Sequence, residues 1–134
     1  MGADDNIKTI QSMYEAFGRG DVVAILDNVT DDVDWATDTN SAAAPWYGVR
    51  HGHDGVTSFF EAFGSTMEVD EFTPLTVAAN EDSVLTVVRC RARARSTGRA
   101  IDKNQHHYFR FRGAKVFYYR GTEDVVQTEA ALRA

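Results

Sequence analysis

Apolar residues recur at helical spacing along the first half of the chain. The first such set is Ile7, Ile10, Tyr14 and Phe17. These residues lie at i, i+3, i+7 and i+10, which places them on one face of a helix. Acidic residues just before this set are typical of a helix start, because a carboxylate can cap the first turn and interacts favourably with the helix dipole. The pattern predicts a first helix that begins at Asp4 or Asp5 and ends near Gly18.

Two more helices are expected before the middle of the chain. Asp21 is a suitable N-cap for a short second helix. Asp54 is expected to cap a longer third helix, and Gly64 to end it. The apolar face of the third helix consists of Val56, Phe59, Phe60 and Phe63. A short strand over 33–35 and a long loop over 38–52 separate these two helices.

The second half of the chain alternates polar and apolar residues with the period of two that is typical of strands. Strands are predicted over 67–79, 84–95, 101–112 and 115–120, with short turns between them. Because Pro74 lacks the N–H that a ladder needs, the first of these strands is expected to lie at an edge or to contain a bulge. Thr122 is expected to cap a short C-terminal helix.

The order of these elements predicts the fold class. Helices come first and consecutive antiparallel strands follow, which is the α+β pattern with helices packed on one face of a sheet. About three N-terminal helices are expected on a strongly curved, mostly antiparallel sheet, followed by the short C-terminal helix. A length of 134 residues fits one domain over 1–134. Helices on a curved sheet also leave room for a cavity between the two layers.

Composition and charge exclude several classes of protein. One cysteine excludes an internal disulfide framework and suits a reducing, cytoplasmic compartment. No apolar run approaches the roughly 18 residues of a membrane span, and the acidic start does not resemble a secretory signal. The net charge of −6 argues against a general nucleic-acid binder. The alternating arginines between positions 89 and 95 are therefore expected on the outer sheet face, balanced by acidic residues of the preceding strand.

Several short motifs resemble one known superfamily. They are Tyr14-Glu15-Ala16-Phe17-x-x-Gly20-Asp21, Gly52-His53-Asp54-Gly55-Val56 with Phe59-Phe60, Arg89-x-Arg91-x-Arg93, Thr97-Gly98-Arg99 and His107-Tyr108-Phe109. In order and spacing they resemble the nuclear transport factor 2-like superfamily, and within it the SnoaL-like and ketosteroid-isomerase-like proteins. The resemblance implies a cone-shaped αβ-barrel with a deep pocket, chemistry without a cofactor, and a homodimer through the outer sheet face. This fold carries enzymes and non-enzymatic binders alike.

The same resemblance indicates candidate catalytic residues. In ketosteroid isomerases a carboxylate moves a proton next to a carbonyl, while a tyrosine and a protonated carboxylic acid hold the oxyanion. The position of the base falls on Thr37, so the adjacent Asp38 is the candidate base here, and a loop aspartate in water is the alternative. The oxyanion acid falls on His107 and the helix tyrosine falls next to Tyr14, so these two are the candidate donors. For His107 the alternative is a core histidine that is hydrogen-bonded to a neighbour. The catalytic aspartate of SnoaL-like cyclases falls on Gly121.

A set of mostly aromatic side chains is expected to line the pocket. If His107 points inward, strand parity also places Phe109 inside, and by the same comparison the last strand turns Phe117 inward. The expected pocket residues are Trp35, Trp46, Tyr47, Phe59, Cys90, Phe109 and Tyr119. Plain core packing is the alternative for each of them. Together they are typical of a site for a small hydrophobic ligand.

Three functions remain open on this basis. The first is cofactor-independent acid–base chemistry, of the isomerase, cyclase or dehydratase type, on a hydrophobic carbonyl or cyclic compound. The second is non-enzymatic: ligand binding, or an accessory role as a dimer of the same fold. The third, epoxide hydrolysis, needs an Asp-Arg-Asp cluster inside the cone, whereas the arginines are expected outside. No metal site is expected at His51-x-His53-Asp54, because Asp54 is needed there as a helix cap.

Overall fold

The computed structural model describes residues 2–133, in which four helices accompany a single six-stranded sheet. The helices are α1 (Ala3–Gly18), α2 (Val22–Leu26), α3 (Gly52–Thr66) and α4 (Val125–Leu132). The strands are β1 (Val29–Thr37), β2 (Arg50–His51), β3 (Met67–Ala79), β4 (Ser83–Ala94), β5 (Ala100–Arg112) and β6 (Lys115–Thr122). The sheet order is β2-β1-β6-β5-β4-β3, and neighbours are antiparallel except β1 and β6, which are parallel.

This architecture confirms the predicted α+β class and the cone shape that the resemblance implied. The helix α1 packs on β3 and β4, while α3 packs on β1 and β3, so both cover the inner face of the curled sheet. The helix α4 contacts β4 and β5. The core between these layers is fully buried at residues such as Ile10, Trp46, Val56 and Phe109.

One predicted helix cap is confirmed and three are wrong. The helix α1 begins at Ala3 with Gly2 as its N-cap, so neither Asp4 nor Asp5 is the N-cap. The Asp21 carboxylate accepts a hydrogen bond from Ala24 N (3.1 Å), which confirms it as the N-cap of α2. The caps expected at Asp54 and Thr122 are wrong. The N-cap of α3 is His51, three residues before Asp54, and the helix begins at Gly52, where φ is +71° and a Cβ would lie 3.0 Å from a backbone oxygen. The helix α4 is capped by Asp124 instead.

Strand parity holds along β4 and β5, where it decides which residues face the core. The inner positions are Val84, Thr86, Val88, Cys90, Ala92 and Ala94 on β4 and Ile101, Lys103, His107, Phe109 and Phe111 on β5, and all of these are buried. The prediction that Phe117 points inward is wrong. The register shifts where β5 meets β6, so Val116 takes the inner place and Phe117 lies outside, beneath the guanidinium of Arg110.

The outer face of the sheet carries the arginines of β4, as expected. Arg93 forms a bidentate pair with Asp70, with both N–O distances at 2.9 Å, and Arg89 donates to Asp102 (3.0 Å). Arg91 lies 3.7 Å from Glu71. Acidic side chains of β3 and β5 therefore neutralise this face, which confirms that the arginines balance the sheet and do not enter the cone. Separately, no helix within residues 2–133 is both long and apolar enough to cross a membrane.

Candidate functional site

A cavity of about 80 Å³ lies between α1, α3 and the inner face of the sheet. This volume exceeds the room that a single water molecule needs, so a small organic group fits inside. Its apolar wall is formed by Met13, Phe17, Ile25, Trp35, Trp46, Phe59, Phe60, Phe63, Phe72 and Phe109. Its polar groups come from Tyr14, Thr37, Gln105, His107, Tyr119, Thr122 and Glu123. A mostly apolar wall with a few convergent polar atoms is the usual composition of a small-molecule site.

Most of the residues expected in the pocket do line this cavity, and three do not. The lining includes Tyr14, Trp35, Trp46, Phe59, His107, Phe109 and Tyr119. Asp38 is exposed just beyond β1, because Thr37 takes the inward place and the alternation turns the next side chain outward. Cys90 is buried beside Lys103, and burial raises the pKa of its thiol to about 11. Tyr47 does not line the cavity, and its ring packs edge-on against Trp46 of the wall, with centroids 5.4 Å apart. The structure therefore brings neither Asp38 nor Cys90 to the cavity.

His107 belongs to a hydrogen-bonded chain on the cavity wall. Its Nε2 lies 3.0 Å from Gln105 Oε1, and its Nδ1 lies 2.7 Å from the Tyr14 hydroxyl oxygen. The same hydroxyl lies 2.7 Å from Thr86 Oγ1. In the arrangement that satisfies all three contacts, Nε2–H donates to Gln105, Tyr14 donates to Nδ1, and Thr86 donates to Tyr14.

These hydrogen bonds leave His107 neutral, with a partner for each of its two ring nitrogens. Complete burial, with a smaller effect of His106, lowers the pKa of His107 to about 3. Burial also holds the pKa of the Tyr14 hydroxyl far above its usual value. Both groups are therefore uncharged at neutral pH, and each ring nitrogen already has a partner. Their geometry fits a rigid polar wall better than a proton donor to a ligand.

Tyr119 presents a hydroxyl that has no hydrogen-bond partner within the described residues. Its ring stacks on Trp35 with centroids 4.2 Å apart, and its hydroxyl lies over Gly121, where a Cβ would be only 2.2 Å from the oxygen. Burial first, and then the nearby Tyr14 and Glu123, raise the pKa of Tyr119 well above its usual value. The Tyr119 hydroxyl is thus a neutral donor, and glycine at 121 is what allows it this place.

We expect Gly121→Ala to lower the free energy of unfolding by about 1–3 kcal/mol, because the new methyl group and the buried Tyr119 hydroxyl cannot share one position. Urea denaturation measures this change. Gly64→Ala is the matched control, since nothing lies within 4 Å of a Cβ at that helical glycine, and alanine is expected to leave stability equal or slightly higher. Equal stability of Gly121→Ala and wild type would refute the close approach of the Tyr119 hydroxyl to position 121.

Glu123 is the carboxylate that reaches this cavity, and the sequence analysis missed it. Its Oε2 accepts hydrogen bonds from the Tyr47 hydroxyl (2.9 Å), from Lys103 Nζ (2.6 Å) and from the Thr128 hydroxyl (2.6 Å). The side chains of Lys103 and Glu123 are only 3% and 7% exposed. None of the hydrogen bonds within residues 2–133 is made to Oε1. The carboxylate is therefore held firmly through one oxygen while it lines the cavity.

A simple signal could have found Glu123. It lies two residues after Gly121, the position that corresponds to the catalytic aspartate of SnoaL-like cyclases, so strand parity turns both to the same side. The predicted last strand stopped at Arg120, whereas β6 continues to Thr122. With a strand that ends at Arg120, the alternation cannot be followed to Glu123, so its inward direction is not predicted.

One further polar group belongs to a residue of the cavity wall, the indole N–H of Trp35. The buried Nε1 of Trp35 has no hydrogen-bond partner within residues 2–133, although Trp35 lines the cavity. An unpaired buried N–H is costly, and such groups are expected to meet a partner in the working state.

No arginine or aspartate of the described chain lines this cavity. The Asp-Arg-Asp cluster that epoxide hydrolysis requires is therefore not formed here.

The histidines near α3 do not form a metal centre within the described residues. His53 Nε2 lies 3.0 Å from Val29 O and 3.7 Å from the exposed Asp31 carboxylate. Across residues 2–133 no cluster of three or more histidine, cysteine, aspartate or glutamate side chains is placed to hold an ion. His53 thus ties the start of α3 to β1.

Comparison with known proteins places this chain in a family. The family model of the SnoaL-like domain matches residues 10–119. No curated protein sequence matches the chain significantly. An NTF2-like structure from Burkholderia xenovorans LB400 has a TM-score of 0.88 at 22% identity, and the match covers 99% of each chain. An NTF2-like protein of unknown function from Burkholderia pseudomallei K96243 has a TM-score of 0.89 at 23% identity, over 97% of this chain and 98% of that one.

A third structure adds a bound compound to the comparison. TerC, co-crystallised with polyporic acid, has a TM-score of 0.84 at 20% identity, and the match covers 97% of this chain and 99% of TerC. At these identities the likenesses show a common fold. The family model, in contrast, spans most of the chain, from α1 to the inward-facing Tyr119 of β6. The chain therefore belongs to the SnoaL-like domain family, and it shares the fold of the NTF2-like structures.

Proposed function

We propose that the cavity binds a small hydrophobic cyclic compound with a carbonyl or hydroxyl oxygen, and that Glu123 and Tyr119 carry out acid–base chemistry on it. The observation that carries this proposal is a pair of groups on one apolar wall. Glu123 has an oxygen with no partner, and Tyr119 has a hydroxyl with no partner, within the described residues. The first is suited to accept a proton and the second to donate a hydrogen bond.

Each group has a definite role in this proposal. Glu123 Oε1 removes a proton from the carbon next to the carbonyl, and Tyr119 donates to the oxygen on which negative charge develops. Return of the proton to another carbon is an isomerisation, and loss of a leaving group is an elimination. Lys103 holds the carboxylate in place by donating a hydrogen bond to Oε2. The indole N–H of Trp35 offers a second donor within the same wall.

Two observations support this assignment over the one made from sequence. Asp38, the base expected from sequence, is exposed and does not line the cavity. His107, the expected donor, has both ring nitrogens engaged by Tyr14 and Gln105. The fold itself accommodates small organic molecules in at least one neighbour, since TerC was crystallised with polyporic acid.

A second candidate function is ligand binding without catalysis, favoured by one specific observation. Thr37 and Gly121 stand where the aspartates of the related enzymes fall, so neither usual base is present. In this case the chain serves as a binder or a dimeric accessory protein. The outer sheet face would form the dimer, because Leu85 and Tyr108 are register partners there and remain 55% and 36% exposed.

Exchange of α-protons separates these candidates. We expect the wild-type protein to accelerate deuterium incorporation into 2-indanone in D₂O, followed by proton NMR, because exchange reports proton abstraction whatever the natural product is. Glu123→Gln is expected to lower the rate by about 10²–10⁴-fold, and Tyr119→Phe by at least about tenfold. Asp38→Asn is the control, and it should leave the rate unchanged.

The binding and catalytic parts of this proposal fail separately. Binding of 2-indanone without exchange above the buffer rate would leave the second candidate and refute acid–base catalysis on this type of substrate. A rate that survives in Glu123→Gln but falls in Asp38→Asn would refute the assignment of the base. Absence of binding by 2-indanone and by phenol would refute the cavity as a ligand site.

A further inference from the structure

A second, larger cavity adjoins the first on the side of α1, α2 and α3 that faces β3. This outer cleft has a volume of about 570 Å³. It shares six wall residues with the inner cavity, namely Tyr14, Phe17, Ile25, Phe60, Phe63 and Phe72. The two spaces therefore lie on opposite sides of one layer of side chains. The inner cavity alone is far smaller than the 300–1,000 Å³ that is typical for ligands of several rings.

Four of the six residues between the two spaces are phenylalanines, whose rings can move without breaking polar contacts. The ring of Phe17 lies 4.8 Å from that of Phe72 and 5.9 Å from that of Phe60, measured between centroids. Both partners and Phe63 are only partly buried. Phenylalanine makes no hydrogen bond, so a change of rotamer costs no polar partner. An apolar group that enters from the cleft can therefore pass between these rings.

Glycines keep the outer cleft open. Gly18 at the end of α1 and Gly64 in α3 both line it, and no atom lies within 4 Å of a Cβ built at either position. Neither has a positive φ, so the backbone there accepts other residues. A side chain at these positions would project into empty space. The absence of side chains at these two points thus leaves room in the cleft.

The charges at the cleft indicate what can occupy it. Its lining includes the carboxylates of Asp21, Glu61, Asp70 and Glu71, and one cation, Arg95. Arg95 already donates to Gly64 O and lies 3.9 Å from the Glu68 carboxylate. Asp70 and Glu71 are engaged by Arg93 and Arg91, so the cleft lining within residues 2–133 offers an anion no free cation. An uncharged apolar group, in contrast, can pack on Val22, Met67, Val69 and the phenylalanines. The cleft is therefore suited to a neutral hydrophobic group.

We infer that the outer cleft is a second subsite that holds an uncharged, apolar extension of the ligand whose oxygen-bearing ring occupies the inner cavity. The ligand class is thus an elongated compound of two or more rings, polar at the inner end and neutral at the outer end. This inference rests on the proposed function only for the orientation of the inner ring. The residue that reports occupancy of the cleft, Gly64, lies outside the proposed catalytic groups.

Calorimetric titration with phenol and 4-phenylphenol tests the subsite. In the wild-type protein the second ring is expected to tighten binding by about tenfold or more, because it buries further apolar surface. Gly64→Leu fills the cleft, so we expect it to weaken the binding of 4-phenylphenol at least about fivefold and the binding of phenol less than about twofold. Gly18→Leu, on the opposite helix, should act in the same way. Ser65→Leu is the matched control, because Ser65 is exposed on the same helix and does not line the cleft.

A charged version of the longer compound completes the test. A carboxylate on the outer ring, as in 4′-hydroxybiphenyl-4-carboxylic acid, is expected to weaken binding at least about tenfold relative to 4-phenylphenol, because it would lose water without gaining a cationic partner. Equal or tighter binding of the acid would overturn the assignment of a neutral occupant. If phenol binds but the second ring adds nothing, or if Gly64→Leu leaves 4-phenylphenol unaffected, the subsite is refuted while the inner site stands. Loss of phenol binding in Tyr119→Phe, by contrast, reports on the inner site alone.

Discussion

Lys103→Met is expected to lower the free energy of unfolding by about 3–5 kcal/mol, because it leaves the buried carboxylate of Glu123 without its cationic partner. The two side chains are 3% and 7% exposed, and their N–O distance is 2.6 Å. Only the hydroxyls of Tyr47 and Thr128 would still donate to the carboxylate. Urea denaturation at pH 7 measures the loss. Lys115→Met is the matched control, since Lys115 is exposed at the start of β6.

A double substitution tests whether the loss comes from the unpaired charge. Lys103→Met combined with Glu123→Gln removes both charges, and it is expected to recover most of the stability, because a neutral amide costs less to bury than a carboxylate. The same comparison bears on function, since the carboxylate that Lys103 holds is the proposed base. If Lys103→Met alone stays within about 1 kcal/mol of wild type, the ion pair contributes little and the environment of Glu123 has been misjudged.

The second large effect is a loss of stability in mild acid that depends on His107. Burial lowers the pKa of this histidine to about 3 in the folded protein, against 6.5 for the free group. Between these two values the unfolded chain binds one more proton than the folded chain, so stability rises with pH across this window and is complete above it. From pH 7.5 to 4.5 the contribution of His107 is expected to fall by about 2–3 kcal/mol.

A variant that cannot titrate isolates this contribution. Denaturation of wild type and of His107→Gln at several pH values gives two curves, and their difference removes the shared effect of the carboxylates. The wild-type curve is expected to fall more steeply with acid between about pH 6.5 and 3. Parallel curves would mean that His107 is protonated in the folded protein, and then its Nδ1 could not accept from Tyr14 as described.

Much of the fold can be predicted from the spacing of apolar residues, because each helix or strand must turn its apolar side chains to the core. The apolar face of α1 and the inward positions of β4 and β5 were predicted for this reason. Phe117 was misjudged because a single register shift between β5 and β6 reverses the parity, and nothing in the local sequence marks it. Asp38 could act as the base only if its side chain turned inward, and it is exposed, because in a strand one residue decides between the core and solvent.

The chemistry of the site depended on contacts that no pattern reveals. Glu123 stands just beyond a strand that was predicted two residues too short. Its buried partners come from three separate elements: Lys103 from β5, Thr128 from α4, and Tyr47 from the segment before β2. Residues so far apart in sequence meet only through the tertiary fold. The resemblance implied a pocket lined by aromatic residues, whereas the carboxylate that lines the cavity follows from the tertiary fold.

The parallel pairing of β1 with β6 has a consequence for how the protein folds. The strands β3 to β6 follow one another as antiparallel neighbours, so they can form from local contacts, whereas β1 must wait for the last strand to be in place. Trp35 and Tyr119 are register partners across this late pairing, and both line the cavity. A ligand of the inner cavity would therefore recognise only chains that have finished folding. Its binding would draw the population towards that state in proportion to its concentration.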